Sequence, residues 1–311
     1  MADLRRYLCF DIGGTKSAVS LMSEAAGVIQ KEKFPTQGER GPEQAVAKMI
    51  EIGQRLRTNE GIAGIGISIG AMFDPGTGVF GEAPHLPSWV GYPIVDKMSQ
   101  AFGMPVAADN DANACALAEW RYGAGKGTHH MAFLTFGTGF GAGLILNRQI
   151  YHGASALAGE IGATRVAETG PPVRGKPGCL EGFASGAGIA GLVKLRLPEF
   201  NGATSLTNDA TAADVAKAAY DGDEFALSIM NESGDYLGRG LAIMLDFLNL
   251  DAIVIGSIFV RCEELLRPPM EAALKRDAMP TTRAACKILP AALGENIGDY
   301  AGLALAVSQN S

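Results

Sequence analysis

The stretch Tyr7-Leu-Cys-Phe-Asp-Ile-Gly-Gly-Thr-Lys-Ser-Ala-Val-Ser-Leu-Met22 places a glycine pair between two apolar segments. Tyr7 to Phe10 and Ser17 to Met22 are each short, apolar and bounded by turn residues, which predicts two strands. Two glycines between strands indicate a tight hairpin with exposed backbone N–H groups. Such groups can approach phosphate oxygens, and Thr15 adds a hydroxyl donor. From these residues alone, the stretch is either a phosphate loop or an ordinary hairpin turn.

The same arrangement occurs again in the second half of the chain. Met131 to Phe136 forms an apolar strand pattern, Gly137-Thr-Gly-Phe-Gly-Ala-Gly143 a glycine-rich turn, and Leu144 to Leu146 a further strand. Two copies of strand, glycine turn and strand predict duplicated halves that present two phosphate-binding hairpins to one cleft. A repeat this short does not by itself establish the duplication.

The remaining pattern predicts an α/β protein. At 311 residues the chain exceeds one typical domain, so we expect two lobes, an N-terminal one over 1–115 and a C-terminal one over 116–297. The terminal helix, 298–311, is expected to rejoin the first lobe. A third strand is predicted near Val28 to Phe34, a helix opening at Pro42, a strand over Gly61 to Gly70 and an irregular region through Pro93. From Ala184 onward the prediction is mostly helix, over Ala184 to Leu195, Thr211 to Tyr220, Asp223 to Leu250 and the apolar Asp299 to Val307, with strands at Ala252 to Ile255 and Lys287 to Leu289.

Composition limits the class of protein. The formal net charge of -7 argues against a nucleic-acid binder, which needs a basic face. The five cysteines are scattered without paired spacing, which predicts reduced thiols in a cytoplasmic protein. Arg5 and Arg6 precede an apolar run that ends at Asp11, too short for a signal peptide. No apolar stretch approaches the length of a membrane span.

Ala108-Asp-Asn-Asp-Ala-Asn113 lies at a predicted junction between a strand, Met104 to Ala108, and a helix, Ala112 to Tyr122. A carboxylate at the carboxyl end of a strand in an α/β sheet lies where such sheets bind ligands. The alternative is that Asp109, Asn110 or Asp111 simply caps the helix, which is the commoner role of these residue types.

Taken together and in order, four segments resemble the ROK family of sugar kinases and repressors. They are Asp11 to Lys16, Asn110-Asp111, Gly137 to Gly143 and Ala158-Gly-Glu-Ile-Gly162. The resemblance extends over nearly the whole chain, through Gly178-Cys-Leu-Glu181, Ile253-Val-Ile-Gly256 and Ala301 to Leu305. It implies a two-lobed actin-like ATPase (ribonuclease H-like) fold with a cleft between the lobes.

The resemblance also implies a role for each matching residue. Asp111, rather than Asp109, would be the base that deprotonates the sugar hydroxyl, and Asn110 would orient the sugar. Asp11 would hold Mg²⁺ through water, since Mg²⁺ prefers few carboxylates and several waters. The other implied contacts are to the sugar from Gly70, Glu160 and Glu181, to phosphate from Gly13, Gly14, Thr15, Lys16, Gly137, Thr138 and Gly139, and to adenosine from Gly256.

One segment departs from the family pattern. Many members carry a zinc site made of one His and three Cys, but the matching positions here are Ala163, Pro172, Arg174 and Cys179. One thiolate cannot replace four ligands, so we predict a loop without structural zinc. Clustered prolines at 171, 172 and 177 are expected to restrict the unfolded loop instead. The missing His leaves the identity of the sugar open, and His85 is a candidate donor, although a lone His more often packs or lies on the surface.

The predicted function is that of an ATP-dependent, Mg²⁺-requiring hexose kinase acting on the 6-hydroxyl of glucose or a related aldohexose. Alternatives are a kinase for fructose, mannose or an N-acetylhexosamine, and a non-catalytic sugar sensor. A DNA-binding repressor is disfavoured by the negative charge and by the ten residues that precede Asp11. The resemblance further implies a homodimer.

Overall fold

The computed structural model describes residues 5–57, 61–83, 86–173 and 175–309. The chain divides into two compact units, the first of Met1–Lys126, Ile150–Ala158 and Leu293–Ser311, the second of Gly127–Gln149 and Gly159–Ala292. The terminal helix therefore packs with the first unit. Within the described ranges, no helix combines the length and apolarity needed to cross a bilayer.

The described residues form ten α-helices and twelve strands. The strands are β1 (Arg6–Ile12), β2 (Lys16–Ser23), β3 (Gly27–Pro35), β4 (Gly64–Ile69), β5 (Phe73–Asp74), β6 (Val79–Phe80), β7 (Val106–Asn110), β8 (Met131–Phe136), β9 (Phe140–Leu146), β10 (Gln149–Ile150), β11 (Ala252–Ile255) and β12 (Lys287–Pro290). The helices are α1 (Pro42–Leu56), α2 (Ile94–Phe102), α3 (Asp111–Tyr122), α4 (Gly186–Arg196), α5 (Ala212–Tyr220), α6 (Glu224–Leu248), α7 (Ile258–Arg261), α8 (Glu263–Asp277), α9 (Pro280–Ala285) and α10 (Ile297–Ser308).

The two main sheets share one topology. The first has the order β3-β2-β1-β4-β7 and the second the order β10-β9-β8-β11-β12. In each sheet a hairpin pairs antiparallel, β1 with β2 and β8 with β9. Two further strands then continue parallel to the first strand of that hairpin. This agrees with the predicted duplication, and it places the glycine loops at the carboxyl ends of β1 and β8, where α/β sheets bind ligands.

A polar row crosses the parallel part of the first sheet. Asp11 in β1 is in register with Ser68 in β4, and Ser68 with Asp109 in β7. One residue earlier, Phe10, Ile67 and Ala108 are buried in the core beside α1 and α2. Because side chains alternate between the faces of a strand, the polar row belongs to the opposite face, the side of the Tyr7, Cys9 and α10 cluster.

Several predicted bounds differ from the structure. The glycine turn predicted over 137–143 ends at Gly139, because β9 already begins at Phe140 and includes Gly141 and Gly143. The two later glycines were interpreted as a turn signal, but they flank Ala142, whose N–H donates to Gly159 O at 3.2 Å. The final helix begins at Ile297 rather than at Asp299. The region predicted to be irregular contains the β5–β6 hairpin, and α2 and α9 were not predicted.

The predicted lobe boundary after residue 115 falls inside α3, and the first unit continues to Lys126. Helical hydrogen bonds hold the residues on both sides of that boundary in one element. The segment Ile150–Ala158 was predicted within the second lobe but packs with the first unit.

Glu119 connects the end of the first segment of this unit, near Lys126, with the start of its last segment at Leu293. Its buried carboxylate accepts Ala124 N–H at 2.8 Å and Leu293 N–H at 2.9 Å, close to where the chain leaves and re-enters that unit. Glu119→Ala leaves both donors without this acceptor, and each unmade hydrogen bond costs about 1–3 kcal/mol. We expect urea unfolding to show a loss of stability of that order.

Glu51→Ala is the matched control, because Glu51 forms an exposed ion pair with Lys48. Such surface pairs contribute roughly 0–1 kcal/mol. Equal stabilities of the two variants would contradict the role given to Glu119.

Candidate functional site

The first glycine loop connects β1 to β2, and two hydrogen bonds from Thr36 hold it in place. Thr36 Oγ1 donates to Gly13 O at 2.7 Å, and Thr36 N–H donates to Thr15 O at 2.9 Å. Gly13 N–H donates to Lys16 O at 3.1 Å, and a Cβ at Gly13 would lie 2.9 Å from that same oxygen. Gly14 is half-buried and Thr15 exposed, which leaves this side of the loop open to a ligand. Thr36 was not identified from the sequence, where a threonine after a strand carries no distinctive signal.

Asp111 is the first residue of α3, directly after β7. The cap is its neighbour Asn110, whose Oδ1 accepts Asn113 N–H at 2.8 Å. The capping interpretation therefore holds for Asn110, and the Asp111 side chain remains exposed to solvent.

Gly70 lies between Asp111 and the first loop. Gly70 N–H donates to Ile12 O at 2.8 Å. A Cβ at Gly70 would lie 3.6 Å from Gly13 Cα and 3.9 Å from Asp111 Oδ2. The structure thus brings together three predicted site segments within the first unit, and a side chain at position 70 would fill the space between them.

Two carboxyl groups of this site hold protons unusually tightly. Desolvation raises the pKa of Asp111 to about 6, and the charge of Asp11 adds to the increase. The pKa of Asp11 is also raised to about 6, by desolvation and by Asp299, while Lys31 and Lys33 oppose the shift. Although water reaches Asp111, enough protein surrounds its carboxylate to disfavour the charge.

The Asp11 carboxylate fits a hydrated divalent cation, whose charge would offset the repulsion that Asp11 exerts on Asp111. Among the residues described, no group of three or more His, Cys, Asp and Glu could hold a metal ion. Asp11 would therefore supply only part of the ligand set, with water and phosphate oxygens completing it, which is the usual coordination of Mg²⁺.

Asp109 is the acidic neighbour of the predicted base, and its oxygens are already bonded. Asp109 is 2% exposed. Its Oδ1 accepts Asn110 N–H at 2.8 Å and Asn113 Nδ2 at 3.0 Å, and its Oδ2 lies 2.7 Å from His152 Nε2. This buried network favours Asp111 over Asp109 as the base. His152, 43 residues away in sequence, was not identified beforehand.

The second glycine loop connects β8 to β9 and lies against the start of α4. Gly186 N–H donates to Gly137 O at 2.8 Å, and Ala187 N–H donates to Thr138 O at 3.1 Å. A Cβ at Gly137 would lie 4.0 Å from Ser257 Oγ, so Gly256-Ser257 after β11 lies beside this loop. Ser257 has a φ of 55°, which is rare for a residue other than glycine. Its position next to Gly256 makes it a site candidate that the sequence pattern did not reveal.

Glu181 and Glu160 lie near this second loop. Glu181 Oε2 accepts Phe140 N–H at 2.8 Å and would lie 3.1 Å from a Cβ at Gly139. Glu160 is exposed and precedes a short turn of helix, Ile161–Ala163. Within that turn, a Cβ at Gly162 would lie 3.4 Å from Glu181 Cβ, so the two predicted sugar-binding carboxylates come from adjacent segments of the second unit.

The loop that departs from the family zinc pattern is held by hydrogen bonds. Lys176 Nζ donates to Ala163 O at 2.8 Å, and Val173 and Lys176 exchange backbone hydrogen bonds of 3.0 and 2.9 Å. Cys179 is buried. Arg174, like His85, lies outside the described residues. The absence of structural zinc stays a prediction, which stoichiometric zinc in the purified protein would contradict.

The three prolines of this loop differ in burial. Pro171 is buried and so close to α4 that a Cβ at Gly191 would lie 2.8 Å from Pro171 Cβ, whereas Pro172 and Pro177 are exposed. An exposed proline is expected to contribute about 0.4–1 kcal/mol through the unfolded chain. Pro171→Ala should cost more than either exposed replacement, because it also loses packing. Urea unfolding of the three single variants measures this, and equal losses would contradict it.

Proteins similar to this chain are known. The glucokinase of Halalkalibacterium halodurans is 33% identical over 310 residues, covering 96% of this chain and 94% of that protein. The crystal structure of a ROK family glucokinase from Streptomyces griseus in complex with glucose and AMPPNP has 27% identity and a TM-score of 0.78, covering 97% and 99%. The xylose repressor of Caldicellulosiruptor bescii is 30% identical over 206 residues, covering 65% of this chain and 51% of that protein.

The first two of these similarities extend over nearly the whole chain. The structural likeness confirms the predicted α/β fold of the actin-like ATPase class. The sequence profile of the ROK family matches residues 7–309 of this chain. With both glycine loops, the Asn110-Asp111 pair and the Glu160 and Glu181 segments inside that match, the chain belongs to the ROK family.

Proposed function

We propose that this protein is an ATP-dependent sugar kinase that transfers the γ-phosphate to a hexose hydroxyl, the 6-hydroxyl of glucose or a related aldohexose. The observation that carries the proposal is the position of Asp111, exposed to solvent and across Gly70 from the first glycine loop. A base with a pKa of about 6 is mostly ionised at neutral pH and still accepts a proton readily. The similarity to glucokinases supports the proposed substrates.

In this proposal Asp111 accepts the proton of the attacking hydroxyl, and Asn110, Gly70, Glu160 and Glu181 contact the sugar. The N–H groups and threonine hydroxyls of the two glycine loops bind the phosphates, and Gly256 lies near the adenosine. Phosphoryl transfer depends mainly on alignment and charge stabilisation, which these groups provide. The Mg²⁺ that accompanies ATP, held in part by Asp11 through water, would supply neutralisation of phosphate charge. We also propose that the enzyme acts in the cytoplasm as a homodimer.

The second candidate is a sugar-responsive regulator without catalysis. It is favoured by the 30% identity to the xylose repressor of Caldicellulosiruptor bescii. Both candidates bind a sugar, but only the kinase converts ATP to ADP when that sugar is present.

The test incubates the protein with ATP, Mg²⁺ and a panel of glucose, fructose, mannose, N-acetylglucosamine, N-acetylmannosamine and xylose while ADP is measured. Calorimetry with the same sugars measures binding independently. We expect sugar-dependent ADP with glucose or a related aldohexose, and NMR of the product identifies the phosphorylated oxygen. Saturable sugar binding with no ADP from any sugar would overturn the kinase and favour the regulator.

A further inference from the structure

We propose that His152 is a positioning residue that acts through Asp109 to hold Asn110 and Asp111 in place for phosphoryl transfer. The inference rests on the kinase activity proposed above and adds to its site a residue that does not touch the reacting atoms.

Asp109 connects the start of α3 with His152 through its two carboxylate oxygens. Its Oδ1 accepts both Asn110 N–H and Asn113 Nδ2, which belong to the start of α3. Its Oδ2 is bonded to His152 at 2.7 Å. A carboxylate that is 2% exposed is stable only when its oxygens are bonded. His152 therefore sets the rotation of the Asp109 carboxylate, which in turn orients the first turn of α3, where Asp111 lies.

His152 lies in a short segment that belongs to the first unit. Ile150–Ala158 packs with the first unit, while the residues on both sides of it pack with the second. Ala158 N–H donates to His152 O at 3.0 Å, closing a loop directly before Gly159 and Glu160. The bond to Asp109 therefore also anchors the segment that precedes one of the proposed sugar-binding carboxylates.

The simpler alternative is that His152 only fills space. Its side chain is 33% exposed, however, so packing alone does not account for a direct bond to a buried carboxylate. That bond raises the pKa of His152, with the charges of Asp109 and Asp74 adding to the shift and desolvation opposing it. A protonated His would make the bond to Asp109 charge-assisted, which is stronger and more directional than a neutral one.

The test compares His152→Leu, which removes the donor, with His152→Gln, whose amide nitrogen can take the position of Nε2. A small displacement of a reacting group lowers turnover by up to about 10²-fold, so we expect kcat to fall by about 10- to 100-fold in His152→Leu. His152→Gln should recover most of that loss, and KM for ATP should stay within about twofold in both variants. His129→Leu and His129→Gln are the matched controls, because His129 lies in the second unit with its exposed ring bonded to Arg148.

Thermal unfolding of each variant separates positioning from packing. Equal losses of kcat in His152→Leu and His152→Gln would overturn the inference, as would wild-type kcat in a folded His152→Leu protein. Should His152→Leu fail to fold, His152→Asn replaces it, because its amide is too short to reach Asp109. Recovery by Gln but not by Asn supports the inference, and equal turnover overturns it. A wild-type protein inactive with every sugar would instead overturn the proposed function, and this inference with it.

Discussion

Asp111→Asn is expected to lower kcat for sugar phosphorylation by about 10²- to 10⁴-fold, the usual contribution of a general base. The amide keeps the size and polarity of the carboxylate but cannot accept the hydroxyl proton. Because Asp111 is exposed and Asn110 provides the helix cap, the replacement should leave α3 intact. ADP formation at saturating sugar and ATP, with circular dichroism of the same sample, measures both effects.

Asp96→Asn is the matched control, since Asp96 is an exposed aspartate in the first turn of α2. It should leave kcat unchanged. Near wild-type turnover in Asp111→Asn would show that another group accepts the proton. The kinase proposal would survive that result, but the assignment of Asp111 as the base would not.

Although Asp111→Asn is expected to lower kcat, it should raise the stability of the protein. A carboxyl whose pKa is raised on folding holds its proton more tightly when folded, so its contribution favours folding at low pH and is lost as pH rises through the folded value. For Asp111 that loss occurs as pH approaches and passes about 6. Asp111→Asn, which carries no charge, is therefore expected to raise Tm at pH 8 more than at pH 5. Activity of the wild type should fall below about pH 6, where Asp111 and the neighbouring Asp11 bind protons.

Raised pKa values at Asp11 and Asp111 mean that their ionised carboxylates lower stability at neutral pH, a cost that is common at active sites. An increase of Tm that was the same at pH 5 and pH 8 would contradict the electrostatic origin. Asp96→Asn again provides the reference for the general effect of removing one negative charge.

Local patterns predicted the parts of this fold that depend on neighbours in sequence. The hairpin at Gly13-Gly14 and the junction at Asn110 were predictable, because glycine pairs and capping residues act within a few positions. The residues that hold the site in place from distant parts of the sequence could not be predicted in this way. Thr36 meets Gly13 from 23 residues away and His152 meets Asp109 from 43 residues away, and only the folded sheet brings such pairs together.

The extent of the second glycine loop illustrates the same limit. Gly141 and Gly143 were predicted to turn, but they belong to β9. Between them, Ala142 N–H donates to Gly159 O, and a Cβ at Gly159 would lie 2.1 Å from Ala142 O, so it is glycine at position 159 that lets the two backbones approach closely. A pattern of glycines does not distinguish these two uses, and the distinction depends on which segment packs against the strand.

Gly298→Ala is expected to destabilise the protein by about 1–3 kcal/mol, the usual cost of inserting a methyl group where no space exists. At an unconstrained helical position the same change stabilises by about 0.5–1 kcal/mol. In α10, however, the new Cβ would lie 2.5 Å from Asp11 Oδ2 and 3.1 Å from Asp11 Cγ. The Asp11 carboxylate must then move, and since it is the proposed partner of Mg²⁺, we also expect kcat to fall by up to about 10²-fold.

An Asp11→Ala background provides the decisive control. Removing the carboxylate removes the three atoms that lie nearest to the added methyl group, so Gly298→Ala should there stabilise the protein by its helix propensity. Urea unfolding of the two single variants and the double variant measures this reversal of sign, and equal destabilisation in both backgrounds would contradict it. A reversal would mean that glycine at position 298 lets the Asp11 carboxylate lie against the first turn of α10. The N–H groups at the start of a helix have no partner within the helix and favour a negative charge nearby. The charge of Asp299 opposes that effect on Asp11.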